Sequence, residues 1–153
     1  MSFLLAFLAQ TAAPIAANYP AIPGLNAFAK ACANIQDIEQ VEADLKEQQW
    51  TAETPADDSP LGQLLATGRE AAGRILTDPD DKMSDTVTYS KTISGERLDI
   101  IISQVQSYGT TVNGCRAYDV GETRQIELAD AQKWMERDAD KTIDRDEISV
   151  AKY

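Results

Sequence analysis

The sequence predicts an α+β fold in which helices pack on one face of an antiparallel sheet of three or four strands. From Leu25 to Trp50, apolar residues recur every three or four positions, which is the pattern of a helix with one buried face. Beyond a break at Asp78 to Asp81, apolar and polar residues alternate, as in half-buried strands. Helices followed by hairpin-linked strands are typical of the α+β class.

The N-terminal half is predicted to be helical, with a short helix near Asn26 to Ala33 and a second from about Ile38 to Gln48. Asp37 and Gln40 have the spacing of a capping box at the start of the second helix. The apolar residues that form the predicted buried face are Phe28, Cys32, Ile35, Ile38, Val41 and Leu45.

A loop is predicted from Thr51 to Asp58, where acidic residues, Thr and Pro dominate. Ser59 and Pro60 then resemble the N-cap and the first residue of a short helix, Leu61 to Thr67, which Gly68 is predicted to end.

The C-terminal half is predicted to form a meander of antiparallel strands. In the first strand Val87, Tyr89 and Ile93 alternate with Thr and Ser residues, so one face is predicted to be buried and the other solvated. Ser94 and Gly95 form a turn. The next strands run from Leu98 to Val105, apolar in its middle, and from Thr111 to Tyr118. Helical spacing follows at Leu128, Ala131, Trp134 and Met135. The chain ends in a possible edge strand, Ile148 to Tyr153.

The N-terminal stretch from Met1 to Ala17 is typical of a signal peptide, because an apolar run is followed by small residues. It is too short to span a bilayer. The alternative is an N-terminal helix or arm packed on the domain. The sequence thus predicts a signal peptide at 1–17 and a single domain at 18–153, located in the periplasm or secreted, with no stable membrane insertion once the leader is removed.

The charge of the chain argues against one class of partner. The sequence has 14 basic and 25 acidic residues and a net charge of −11. Nucleic acid and anionic lipid surfaces should repel such a domain. The acidity indicates a solvated surface that keeps the protein in solution, or, as the alternative, binding of a cation or a basic partner.

The only two cysteines, Cys32 and Cys115, are most simply a disulfide in an exported chain. They would close a loop of about 83 residues, which the chain-entropy model values at roughly 4 to 4.5 kcal/mol. The alternative is two free, buried cysteines that pack as small hydrophobic side chains. A catalytic thiol is disfavoured, because the sequence has no histidine to activate it and no Cys-x-x-Cys pair.

Several short motifs carry a resemblance to a known group. They are Phe28 and Cys32, Trp50, Pro60-Leu61, Leu64-Leu65, Gly68, Gly95-Glu96-Arg97-Leu98 and Cys115-Arg116-Ala117-Tyr118-Asp119. Their order resembles that of small exported proteins common in alphaproteobacteria, a group of unknown function. The resemblance implies an envelope location and a bond between Cys32 and Cys115, and it transfers no catalytic residue.

The segment from Asp138 to Glu147 departs from that pattern and begins like the calcium loop of an EF-hand. The candidate ligands are Asp138, Asp140, Asp144 and Glu147. Ile143 stands where such loops need glycine, and Glu147 comes two positions before the last ligand of a standard loop. The alternative is a charged helix end and turn. Calcium is therefore a possible cofactor, and the sequence predicts no other.

A carboxylate-dependent hydrolase is an alternative, since three acidic residues are predicted to lie close to the sheet. They are Asp99, Asp119 and Glu122. Asp119 is instead expected to pair with Arg116 in a strand-end ion pair. The sequence favours a non-catalytic envelope protein that binds an unknown protein or a small ligand. The alternatives are a calcium-binding module and a carboxylate-dependent hydrolase.

Overall fold

The structure is a computed structural model, and it describes residues 19–145 and 148–152. The predicted signal peptide at 1–17 lies outside these residues. In chain order the elements are α1 (Ala21–Ala31), α2 (Ile38–Glu47), β1 (Thr51–Glu53), α3 (Pro60–Ile75), β2 (Lys82–Met83), β3 (Val87–Ile93), β4 (Glu96–Ser107), β5 (Thr110–Tyr118), α4 (Leu128–Met135), β6 (Lys141–Arg145) and β7 (Ile148–Lys152).

Five antiparallel strands form the main sheet, and β4 is its centre. β4 pairs with β3 and with the short β2 along one edge and with β5 along the other. β1 pairs with the free edge of β3. The predicted α+β class and the β3–β4–β5 meander are confirmed. The sheet has five strands rather than three or four, because the short β1 and β2 join it.

The first face of the sheet carries the hydrophobic core. Leu98, Ile100 and Ile102 alternate along β4 and point toward this face, where α1 and α2 cover them. The buried residues of the core cluster are Ala31, Val41, Leu45, Trp50, Tyr89, Leu98, Ile100 and Ile102.

The second face is buried too, contrary to the prediction that Thr88 and Ser90 lie on a solvated face. Thr88 is 1% exposed and Ser90 is 7% exposed. Leu64 and Leu65 of α3 line a groove together with Ile101 of this face, so α3 lies over it. The prediction that the helices pack on one face is therefore not confirmed.

The helix starts follow the predicted caps. The Asp37 side chain accepts a hydrogen bond from the Gln40 backbone N–H at 3.1 Å, but the Gln40 amide donates to Asp44 instead of reaching back. Ser59 accepts from the Gly62 N–H at 3.0 Å at the start of α3. The prediction that Gly68 ends this helix is wrong, because an exposed glycine costs a helix only about 1 kcal/mol and does not stop it.

The predicted disulfide between Cys32 and Cys115 is present, with 6.0 Å between the two Cα atoms. Cys32 is the C-cap of α1 and Cys115 lies within β5, so the bond fixes the end of this helix to the outer strand. The Asn113 amide of β5 donates to the backbone oxygen of Ile35 at 2.9 Å. A covalent bond and a hydrogen bond therefore attach the α1–α2 connection to β5.

The C-terminal strands form a separate hairpin, in which β6 and β7 pair with each other. The predicted edge strand is thus present, but it does not join the main sheet. Before it, α4 packs on α1, and the Trp134 indole N–H donates to Asn26 at 3.0 Å. Across the described residues, no helix has both the length and the apolar character needed to cross a membrane.

Candidate functional site

A cavity of about 360 Å³ lies between the start of α1 and the C-terminal end of β5, and we call it the Tyr19 pocket. One wall is apolar and comes from Leu25 and Phe28 of α1, Leu98 of β4, and Ile126. The other end is polar. The remaining lining residues are Tyr19, Ala21, Gly24, Ala117, Tyr118, Asp119, Glu122 and Arg124.

The β4–β5 hairpin brings the polar end together. Its register pairs Ser107 with Thr110 at the turn and Asp99 with Tyr118 at the open end. If this register is extended beyond Tyr118, Asp119 lies opposite Leu98. The residues after Asp119 then lie beside Glu96. Residues about 20 positions apart in sequence therefore meet at the open end of one hairpin.

Close approach of α1 to the sheet forms the apolar wall. Gly24 is buried, and a Cβ at this position would stand 3.4 Å from Leu98 Cδ1. The small residue lets the helix come near β4, and the Cys32–Cys115 bond holds the other end of α1 against β5. Helix α1 thus packs on β4 near its start and is covalently linked to β5 at its end.

Three carboxylates, those of Glu96, Asp119 and Glu122, meet at the polar end, each with one oxygen atom within 4.8 Å of the others. The Arg124 guanidinium bonds two of them, Glu96 at 2.6 Å and Glu122. Its side chain and the backbone N–H groups of Arg124 and Thr123 hold the pKa of Glu122 at about 2. Glu96 and Glu122 thus have a cationic partner within the cluster.

Asp119 is in a different state from its two neighbours. The Tyr19 hydroxyl and the Gly121 backbone N–H donate to it, but its Oδ2 atom is buried and has no hydrogen-bond partner among the described residues. Burial raises the pKa of the Asp119 carboxyl, and repulsion from Glu122 and Glu96 raises it further. In the same way, burial and the Asp119 charge raise the pKa of Tyr19 to about 12. Asp119 is therefore a pocket-lining acceptor with unused capacity.

The polar end carries a net negative charge, since three carboxylates face one guanidinium. Arg124 also lies over the Tyr19 ring, 5.6 Å from its centroid, which fixes the aromatic side chain at the pocket entrance. A concave apolar wall with a few converging polar groups is the usual form of a small-molecule site. The carboxylates could also contact a metal ion, but Arg124 already lies against two of them.

Of the carboxylates that the sequence analysis singled out for a hydrolase, Asp119 and Glu122 come together, whereas Asp99 does not. Asp99 points to the second face of the sheet, fully buried, and pairs with Arg97 at 2.9 Å. Arg97 in turn bonds Glu53 at 2.5 Å. This is a structural ion-pair network on the opposite side of the sheet.

The expected ion pair between Arg116 and Asp119 is wrong. Residues three apart along an extended chain point to opposite faces. The Arg116 guanidinium accordingly donates to Ser103 at 3.1 Å on the second face, while Asp119 turns toward Tyr19 on the first.

The four predicted calcium ligands lie along the C-terminal segment. Asp138 and Asp140 follow α4, and Asp140 pairs with Arg137 at 3.1 Å. The backbone of Asp144 is part of β6, opposite Ser149, and Glu147 lies outside the described residues. Calcium binding by these residues stays a prediction.

Tyr19, Glu96 and Arg124 also belong to the site, although none of them is among the candidate residues predicted from the sequence. The register of the β4–β5 hairpin was the signal that could have placed Glu96 beside Asp119. No pattern in the sequence indicates that Tyr19 and Arg124 join them.

No protein-family model matches the chain, and no significant match to it was found among curated proteins or solved structures. The geometry of the Tyr19 pocket is therefore the basis for a functional proposal.

Proposed function

We propose that the protein is a non-catalytic binding protein of the cell envelope and that the Tyr19 pocket holds a small ligand. The observation that supports this proposal is a cavity of about 360 Å³ whose apolar wall faces a cluster of polar groups. Small-molecule sites in proteins commonly have about 300–1,000 Å³. The apolar wall would supply most of the binding free energy, and the polar groups would orient the ligand.

Two observations support the envelope location. The Cys32–Cys115 bond is of a kind that persists in oxidising compartments such as the periplasm and the exterior of the cell. The apolar stretch from Met1 to Ala17 has the composition of a signal peptide. We therefore propose that the protein is periplasmic or secreted.

The state of the carboxylates favours binding over hydrolysis. A glycosidase-type site needs one carboxyl group that keeps a proton and one that is free to act as nucleophile or base. Glu122 has a depressed pKa, but the Arg124 guanidinium and two backbone N–H groups occupy its oxygen atoms. These bonds reduce its availability to a substrate or a water molecule.

A hydrolase remains the second candidate, because Asp119 has a raised pKa beside Glu122, whose pKa is about 2. Such opposed shifts are typical of an acid–base pair. Hydrolysis of glycoside or ester substrates that Glu122→Gln abolishes without loss of substrate binding would favour this candidate.

The proposed binding function can be tested by blocking the pocket. Ala117 lines the pocket with an exposed side chain, so Ala117→Leu should fill part of the cavity without disturbing the core. The matched control is Ala66→Leu, an exposed position on α3 outside the pocket. Ligand-detected NMR with a panel of small alcohols, amines and carboxylic acids would measure binding.

We expect a subset of the panel to bind the wild type and Ala66→Leu and to lose binding to Ala117→Leu. Equal binding to all three proteins would contradict the assignment of the pocket. The location has its own test, the intact mass of the protein from the envelope fraction of its host, alkylated before and after reduction. A species beginning at Asn18 whose thiols react only after reduction is expected.

A further inference from the structure

We propose that the ligand of the Tyr19 pocket is a small primary amine, with its ammonium group bound by Asp119 and its apolar body against Leu25 and Phe28. This inference rests on the proposed binding function and adds the chemical class of the ligand. It follows from the charges at the polar end and from the shape of the cavity beside them.

The charges at the polar end are complementary to a cationic ligand. The polar end holds three carboxylates and one guanidinium, and the guanidinium bonds Glu96 and Glu122. Asp119 accepts from two neutral donors, the Tyr19 hydroxyl and the Gly121 backbone N–H, and its charge is repelled by Glu122 and Glu96. A cationic group in the pocket beside Asp119 would offset the excess negative charge of the cluster.

The position of Arg124 favours an ammonium group over a metal ion. A divalent ion bound by all three carboxylates would bring its charge close to the Arg124 guanidinium or would displace it from Glu96 and Glu122. A singly charged ammonium group beside Asp119 is repelled less by Arg124 than a divalent ion, and it can leave both ion pairs intact. A bare metal ion would also make no use of the apolar wall that adjoins the cluster.

The apolar wall favours a cation that carries a hydrocarbon portion. Leu25, Phe28, Leu98 and Ile126 line the cavity next to Asp119, so a ligand with its cation at Asp119 would place its hydrocarbon portion against them. A cavity of about 360 Å³ is at the small end of the usual range for ligand sites. A compact arylalkyl or alkyl amine has both a cationic group and a hydrocarbon portion, whereas an inorganic cation lacks the hydrocarbon portion and a neutral sugar lacks the cation.

The experiment uses three probes of nearly equal size that differ in charge, namely 2-phenylethylamine, 2-phenylethanol and phenylacetate. Affinity for the full chain is measured by NMR titration at pH 7. A hydrogen-bonded charge pair should favour the amine over the alcohol by about tenfold to a hundredfold. Phenylacetate should bind most weakly, because the carboxylate cluster repels it.

Two variants test the role of Asp119. In Asp119→Asn the shape is kept and the charge is removed, so the amine should lose its advantage while the alcohol binds as before. Asp58→Asn is the matched control, since Asp58 is exposed in the loop before α3 and should leave all affinities unchanged. A thermal melt of each variant verifies that it is folded.

The outcomes separate this inference from the proposed function. If 2-phenylethanol binds as tightly as the amine and Ala117→Leu abolishes both, the pocket binds ligands but the amine assignment is wrong. Preference for phenylacetate would make Arg124 the recognition group and would overturn the inference. An amine preference that survives in Asp119→Asn would also overturn it. If no probe binds the wild type, the inference fails, and the wider panel then decides the proposed function.

Discussion

Removal of the Cys32–Cys115 bond should reduce the free energy of unfolding by about 4.5 kcal/mol. The cysteines are 83 positions apart. For a loop of that length the chain-entropy model gives an unfolded-state entropy loss of about 15 cal/mol/K, which is about 4.5 kcal/mol at 25 °C. This is a large share of the roughly 5–15 kcal/mol by which domains of ordinary size are stable.

Urea unfolding followed by tryptophan fluorescence measures this loss. Trp50 is 5% exposed and packs in the main core, so its emission reports on the sheet and on α2. The oxidised wild type is compared with the reduced wild type and with the double variant Cys32→Ala/Cys115→Ala. In a thermal melt, unfolding of about 130 residues has an entropy near 0.27 kcal/mol/K, so the melting temperature should fall by about 16 °C.

The reduced wild type is the control for local packing, because it keeps both sulfur atoms and loses only the bond. If loop closure is the cause, the reduced protein and the double variant should be destabilised to a similar extent. A loss below about 1 kcal/mol for the reduced protein would refute the reasoning, since the denatured chain would then already be constrained without the bond.

Three further predictions concern single positions. Gly62→Ala should lower the free energy of unfolding by about 2 kcal/mol or more, because a Cβ would overlap the backbone oxygen of Ala56. Gly73→Ala has open space around it and should stabilise α3 by about 0.5–1 kcal/mol. Thermal melts that rank the two variants alike would contradict this. Ser59→Ala should cost about 1 kcal/mol in urea unfolding, as it removes the side-chain acceptor for an N–H group at the start of α3, and an unchanged midpoint would contradict the cap. Asp119→Asn should be more stable than the wild type at pH 7. The difference in stability should shrink as the pH falls through the raised folded-state pKa of Asp119, because the wild-type carboxyl then becomes neutral like the amide. A difference that grows on acidification would contradict the raised pKa.

Much of the fold could be predicted because local patterns and buried faces agree along most of the chain. The alternation through β3, β4 and β5 and the start of α2 at Asp37 are both local signals, and both appear in the structure. The three-residue strand β1 could not be predicted, since Thr51–Glu53 has no apolar alternation and joins the sheet through backbone pairing with β3 and a side-chain bond between Glu53 and Ser90. The burial of Thr88 was missed because it depends on how α3 crosses the second face, a long-range relation that no local pattern records.

The candidate site was less predictable than the fold, because its residues come from three separate segments of the chain, 19–28, 96–98 and 117–126. Glu96 and Asp119 meet through the hairpin register, which follows from the position of the turn between β4 and β5. Tyr19 precedes α1, and Arg124 follows β5 in an irregular segment. Their approach depends on how α1 packs across the sheet, and that packing is a property of the assembled core.

The contrast between Asp99 and Asp119 explains why the Tyr19 pocket is a stronger candidate than the ion-pair network on the second face. Both carboxylates lie at the same end of the β4–β5 hairpin, and both are surrounded by other charged groups. Asp99 is fully buried, and Arg97 bonds both of its oxygen atoms. Such a network is complete without a ligand. Asp119 keeps a buried oxygen atom without a partner among the described residues, and it borders a cavity rather than packed side chains. A cationic ligand in that cavity would offset the repulsion of Asp119 by Glu122 and Glu96, and it would stabilise the folded protein on binding.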